Sequence, residues 1–133
     1  MFGKTSKPHN KIDSLIGAGT MIEGDINFSG GLRIDGEVRG NVRASGDQAS
    51  TLVISEHACI DGEVRVSHMV VNGTVNGPIH SSGFLELQPH ARVTGDVEYN
   101  TIEMNLGAIV QGRLVHQGGG GIKAVELKLA ASH

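Results

Sequence analysis

One five-residue unit recurs along this chain: aliphatic, any residue, glycine, any residue, aliphatic. It appears as Ile22 to Ile26, Ile34 to Val38, Val38 to Val42, Ile60 to Val64, Val71 to Val75, Val75 to Ile79, Val93 to Val97 and Val110 to Leu114. No helical periodicity produces that pattern, because aliphatics four apart around a fixed glycine describe two short extended segments joined at a bend. The series Gly24, Gly40, Gly62, Gly77, Gly95 and Gly112 has spacings of 16, 22, 15, 18 and 17, a period near 17 with one long interval. The excess falls in Ser45 to Thr51, a run of turn-forming residues expected to bulge as a loop. Gly36 and Gly73, 37 apart, form a second series, so each period has at least two corners.

Short β segments separated by glycine corners at a fixed period describe a β-solenoid, in which each coil stacks on the last. Six glycines in the main series imply about six coils, and a strand spacing of ~4.8 Å makes a rod roughly 30 Å long. Three short sheets are expected, with Ile22, Ile26, Ile34, Val38, Ile60, Val64, Val71, Val75, Val93 and Val97 pointing inward. Composition agrees. The chain has 13 Val and 11 Ile but no Trp, one Tyr and three Phe, which suits a thin core of stacked aliphatics. Residues 1–11 and 118–133 break the pattern, the second beginning with the run Gly118 to Gly121; both are read as disordered tails around a β-helix over 12–117.

Several chemistries lack their residues. A net charge of -3 supplies no basic field, so no nucleic-acid partner is expected. Cys59 is alone, which excludes an internal disulfide and favours the cytoplasm. No signal-peptide run or membrane span is present. Neither GxxxxGK[ST] nor GxGxxG occurs, so nucleotide binding is not expected, and no cofactor or metal is assigned. Acid pairs flank the corner glycines, as Glu23 with Asp25, Asp35 with Glu37 and Asp61 with Glu63. They repeat with the coil, unlike an active site, and are read as solvated corner residues. His57 and His90 occupy equivalent places two periods apart, ~9.6 Å along the axis and too far to share one zinc. Cys59 aligns with Met21, Arg92 and Ile109, a position that accepts charge, and is read as a partly exposed thiol.

The units Ile34-Asp35-Gly36-Glu37-Val38-Arg39-Gly40-Asn41-Val42 and Ile60-Asp61-Gly62-Glu63-Val64 resemble those of the bactofilins, bacterial cytoskeletal proteins, over roughly Ile12 to Val115. The opening Met1-Phe2-Gly3-Lys4 is similar to the membrane-targeting segment of many members. The resemblance implies a right-handed β-helix that polymerises without nucleotide and scaffolds cell-wall or cell-shape machinery, with itself, the inner face of the cell membrane and cell-wall enzymes as partners.

Polymerisation also follows from the pattern. A solenoid without capping helices ends in coils whose backbone groups lack partners and whose core is open. Leu15 and Ile16 at one end, and Ile109, Val110 and Leu114 at the other, are the expected contacts. At the amino terminus Met1 and Phe2 offer an apolar tip beside Lys4, Lys7 and Lys11, a candidate membrane-targeting segment. The competing readings are a small β-helical enzyme of acyltransferase type and a monomeric adaptor that presents one face.

Overall fold

The computed structural model describes residues 12–45 and 49–117, in which every regular element is a short strand. Eighteen strands, numbered in chain order, build six coils of three. The first strands of the coils stack as sheet A: β1 (Ser14–Ile16), β4 (Gly31–Ile34), β7 (Thr51–Ile54), β10 (His68–Val71), β13 (Phe84–Leu87) and β16 (Thr101–Met104). The second form sheet B: β2 (Met21–Glu23), β5 (Glu37–Arg39), β8 (Cys59–Asp61), β11 (Thr74–Asn76), β14 (Arg92–Thr94) and β17 (Ile109–Gln111). The third form sheet C: β3 (Ile26–Phe28), β6 (Val42–Ala44), β9 (Val64–Val66), β12 (Ile79–Ser81), β15 (Val97–Tyr99) and β18 (Leu114–His116). All pairings are parallel and join each coil to the next, which is the expected β-solenoid.

The corner between sheets B and C is two residues long in every coil and begins with a glycine of the main series. Gly62 shows why. Its φ is +156°, and a Cβ there would collide with the carbonyl oxygen of Gly40 in the coil before. The same collision recurs from Gly40 through Gly112, so glycine backbones stack directly on one another. The residue after the glycine often fastens the stack. Asp25 Oδ1 accepts from the Asn41 N–H at 2.9 Å, and Asn41 Oδ1 from the Glu63 N–H at 2.9 Å. Asp96 Oδ1 accepts from the Arg113 N–H at 3.1 Å.

The uneven glycine spacing arises at the other two corners. Between sheets A and B, coils one, three, five and six use four-residue turns, each closed by an i to i+3 bond such as Ala58 N–H to the Ser55 carbonyl at 3.0 Å. Coils two and four use only Asp35-Gly36 and Asn72-Gly73, tucked against the wider turn below. Between sheets C and A lies the long insertion. Residues 45, 49 and 50 are outside strands there, 46–48 fall outside the described residues, and Thr51 opens β7 instead of belonging to the expected loop. Thr51 joins the strand because its N–H donates to the Gly30 carbonyl at 2.9 Å.

Inward side chains form continuous columns. One runs Ile22, Val38, Ile60, Val75, Val93, Val110, and another Ile26, Val42, Val64, Ile79, Val97, Leu114. Of the ten expected inward residues, eight are buried, and Ile22 and Ile26 in the first coil are half-buried. Sheet A adds Leu32, Leu52, Met69, Leu85 and Leu87, all buried. Burying one such side chain is worth about 2 kcal/mol, and the core is built almost wholly of aliphatics, with Tyr99 the one buried ring among the described residues.

Gly62→Ala is expected to destabilise the fold by more than ~2 kcal/mol, because a backbone carbonyl cannot yield to the new methyl. Gly17→Ala, with nothing within 4 Å of the new atom, should shift the urea midpoint little. Equal midpoints for the two variants would contradict the stacked-glycine account.

Candidate assembly surface

Both ends of the solenoid are unpaired sheet edges. β1, β2 and β3 carry no partner strand on one side, and β16, β17 and β18 none on the other, among the described residues. The inward columns run out to these edges. Ile16, Ile22, Ile26 and Phe28 close the first coil, and Ile102, Met104, Val110 and Leu114 the last. Their counterparts in inner coils are buried, apart from the half-buried Ala44 beside Phe28, whereas these are half-buried or, for Met104, exposed. The rod therefore presents aliphatic core at each end.

The expected contact residues divide into two groups. Ile16, Val110 and Leu114 lie in the inward columns. Leu15 is in register with Arg33, and Ile109 with Arg92, so both belong to outward columns and stand at the rim of their ends. Sequence reasoning missed Phe28, Ile102 and Met104, which complete the end faces. It also missed a change along the outward columns: Met21 and Ile109 flank Glu37, Cys59, Thr74 and Arg92, and Val115 follows Glu98. All seven exposed large hydrophobics of the described residues, Ile12, Leu15, Met21, Met104, Leu106, Ile109 and Val115, lie in or beside the first and last coils. The four inner coils have none.

The lateral faces are polar and cross-linked between coils. Arg39 pairs with Glu23 at 3.6 Å and with Glu37 at 3.3 Å, and Arg43 with Asp25 at 3.5 Å. His80 lies between two carboxylates, with Nδ1 2.6 Å from Glu98 and Nε2 2.9 Å from Glu63. Of the acids at the corners, Glu23, Asp25 and Glu63 are thus partners for arginine or histidine on an adjoining coil, Asp61 accepts from Asn76 of the next coil, and Asp35 and Glu37 pair with arginines of their own coil. His57 and His90 do occupy equivalent turns two coils apart, with Asn72-Gly73 between them, and His90 faces Glu56 at 3.6 Å. No three His, Cys, Asp or Glu side chains converge on one point among the described residues. Ser67 and His68 share a shallow recess, but Ser67 Oγ donates to the Ser50 carbonyl at 2.8 Å, so its proton is already committed.

Hydrogen bonds tune the acids. The Arg113 backbone N–H, followed by its guanidinium, holds Asp96 below the usual carboxylate range. His80 and then Gln117 do the same for Glu98, and Ser55, against partial desolvation, for Asp35. Burial, with the charge of Asp61 next, pushes the Cys59 thiol up, which suits an unreactive, half-buried thiol. Carboxyls lowered in the folded chain stabilise it fully above their ordinary values, and that contribution is lost as the pH falls through the lowered ones. The thermal midpoint should therefore fall once the pH drops below about 4, and Asp96→Asn should flatten part of that fall. A midpoint unchanged down to about pH 2 would show that these inter-coil bonds carry no stability.

The Bactofilin family model, described as polymer-forming cytoskeletal, matches residues 14–115, the span of the eighteen strands almost to its end. Two curated relatives come from Myxococcus xanthus (strain DK1622). Bactofilin BacP is 26% identical over 109 residues, 82% of this chain and 44% of the relative. Bactofilin BacO is 26% identical over 102 residues, 77% of this chain and 78% of the relative. The chain thus spans less than half the length of BacP. No solved structure matches it.

Proposed function

We propose, since this chain belongs to the bactofilin family of polymer-forming cytoskeletal proteins, that it assembles without nucleotide by stacking solenoids end to end. The observation that carries this reading is the confinement of exposed large hydrophobics to the terminal coils. Unpaired strand edges and an open aliphatic core are satisfied together when a second copy covers them, and neither demand involves a bound phosphate. The filament would act as a cytoplasmic scaffold at the inner face of the cell membrane, organising cell-shape or cell-wall machinery rather than catalysing a reaction.

Leu114→Arg would place an unpaired charge against the neighbouring subunit, so folded but short species are expected in sedimentation without nucleotide. Arg65→Ala should leave filaments intact, because its ion pair with Glu63 at 2.8 Å is lateral and half-exposed. Circular dichroism of both variants separates lost assembly from lost fold. Equal sedimentation of wild type and a folded Leu114→Arg chain would remove this assignment, and a wild type that stays monomeric at tens of micromolar would remove end-to-end assembly.

Membrane attachment is assigned to Met1, Phe2, Lys4, Lys7 and Lys11, which lie outside the described residues. Within the described residues twelve carboxylates face six arginines and no lysine, so the solenoid body itself is repelled by an anionic surface. Three lysines at roughly 1 kcal/mol each bind weakly alone, and a filament multiplies them. Removing residues 1–11 should leave polymers that no longer co-sediment with anionic liposomes. Unchanged co-sedimentation would place membrane binding elsewhere.

A further inference from the structure

The last coil carries two unmet demands besides its open core. In the outward column of sheet A, Glu86 and Glu103 are in direct register, like charges on adjacent strands. Gln88 Nε2 reaches Glu86 at 3.4 Å, but Glu103 has no ion-pair or hydrogen-bond partner among the described residues. His116, whose ring packs edge-on against Tyr99 at 5.5 Å, buries an Nδ1 that also lacks a partner there. Beside them Met104 and Leu106 are exposed, Leu106 to 96%.

The chain beyond Gln117 contains a segment that matches this edge. Every sheet A strand from the second coil to the last ends on an inward, outward, inward triplet, including Leu85-Glu86-Leu87 and Ile102-Glu103-Met104. Leu127-Lys128-Leu129 repeats that triplet with the charge inverted. Laid on β16 in the register of the preceding coils, its leucines would cover Ile102 and Met104, and Lys128 would stand over Glu103. The alternative register, with Val125-Glu126-Leu127 on β16, would add a third acid to the column, so charge selects between the two. The ten residues 117–126 between β18 and that triplet are long enough for the corner between sheets C and A, where the coil of β6 already inserts six residues before β7.

We propose that Leu127-Lys128-Leu129 adds as a further parallel strand to the open edge of β16 and competes with the neighbouring subunit for that end. A tethered segment is presented to its own edge at an effective concentration of order millimolar, whereas a second molecule arrives only at its bulk concentration. Even a weak cap therefore raises the concentration at which filaments form. This competition rests on the end-to-end reading above; the strand addition itself does not.

Two measurements test it. In a Cys59→Ser background, Glu103→Cys with Lys128→Cys should give an intramolecular disulfide under mild oxidation, since directly opposed residues on adjacent strands lie within disulfide reach. No disulfide, or only a disulfide-linked dimer, would overturn the cap. A chain ending at Gln117, and Leu127→Asp with Leu129→Asp in the full chain, should each sediment as polymer at a several-fold lower total concentration than wild type. An unchanged threshold in both would overturn the competition. A formed intramolecular disulfide in a chain that never polymerises would leave the cap standing and remove the assembly reading instead.

Discussion

The architecture depends on the stacking of glycine backbones at the corner between sheets B and C. Each coil turns there with its Cα set against the carbonyl of the glycine below, at a separation that no side chain permits. That contact fixes the height and register of every coil on its predecessor, so the corner keeps its two-residue length in all six. The other corners are released from that duty and vary from one residue to six.

Polar side chains follow the same logic. Asp25, Asn41 and Asp96 each reach from one coil to a backbone N–H of the next, acting as extra rungs outside the sheets. Ser50 and Ser67 do so at the C to A corner, where the Ser67 hydroxyl donates to the Ser50 carbonyl and the Ser50 N–H donates to Ser67 Oγ at 2.6 Å. These groups sit where strands are interrupted and backbone polarity would otherwise go unmatched.

Glycine made two of the three sheets legible in advance. Around each corner of the main series the flanking aliphatics belong to sheets B and C, and their inward orientation was read correctly from Val38 to Val97. Sheet A has no such marker. Its alternation, as in Leu32-Arg33-Ile34, is clear once aligned, but corners of unequal length on both sides displace it from any fixed period, and Val53 and Val70 blur the outward column. The ends were legible to the same degree. Val110 and Leu114 fall where columns anchored by glycine stop, whereas Ile16, Ile102 and Met104 lie on the unanchored sheet, Ile16 being legible only as the start of the patterned region, and Leu15 and Ile109 stand on the rim of their ends. The loss of charge at Met21 and Val115 was present in the sequence, but only comparison down an aligned column exposes it.

Strands that lie across a rod direct their backbone hydrogen bonds along it. A pull on the two ends of this molecule would therefore load those bonds lengthwise, gap after gap in series, so that the rod is only as strong as its weakest gap. Inside one chain each gap is closed by three strand pairs and tied by the covalent thread that climbs from coil to coil. A junction between two stacked molecules would have the pairs but not the thread. Under tension such a polymer would part between molecules before any of them unravels, and each released piece would carry intact ends ready to rejoin.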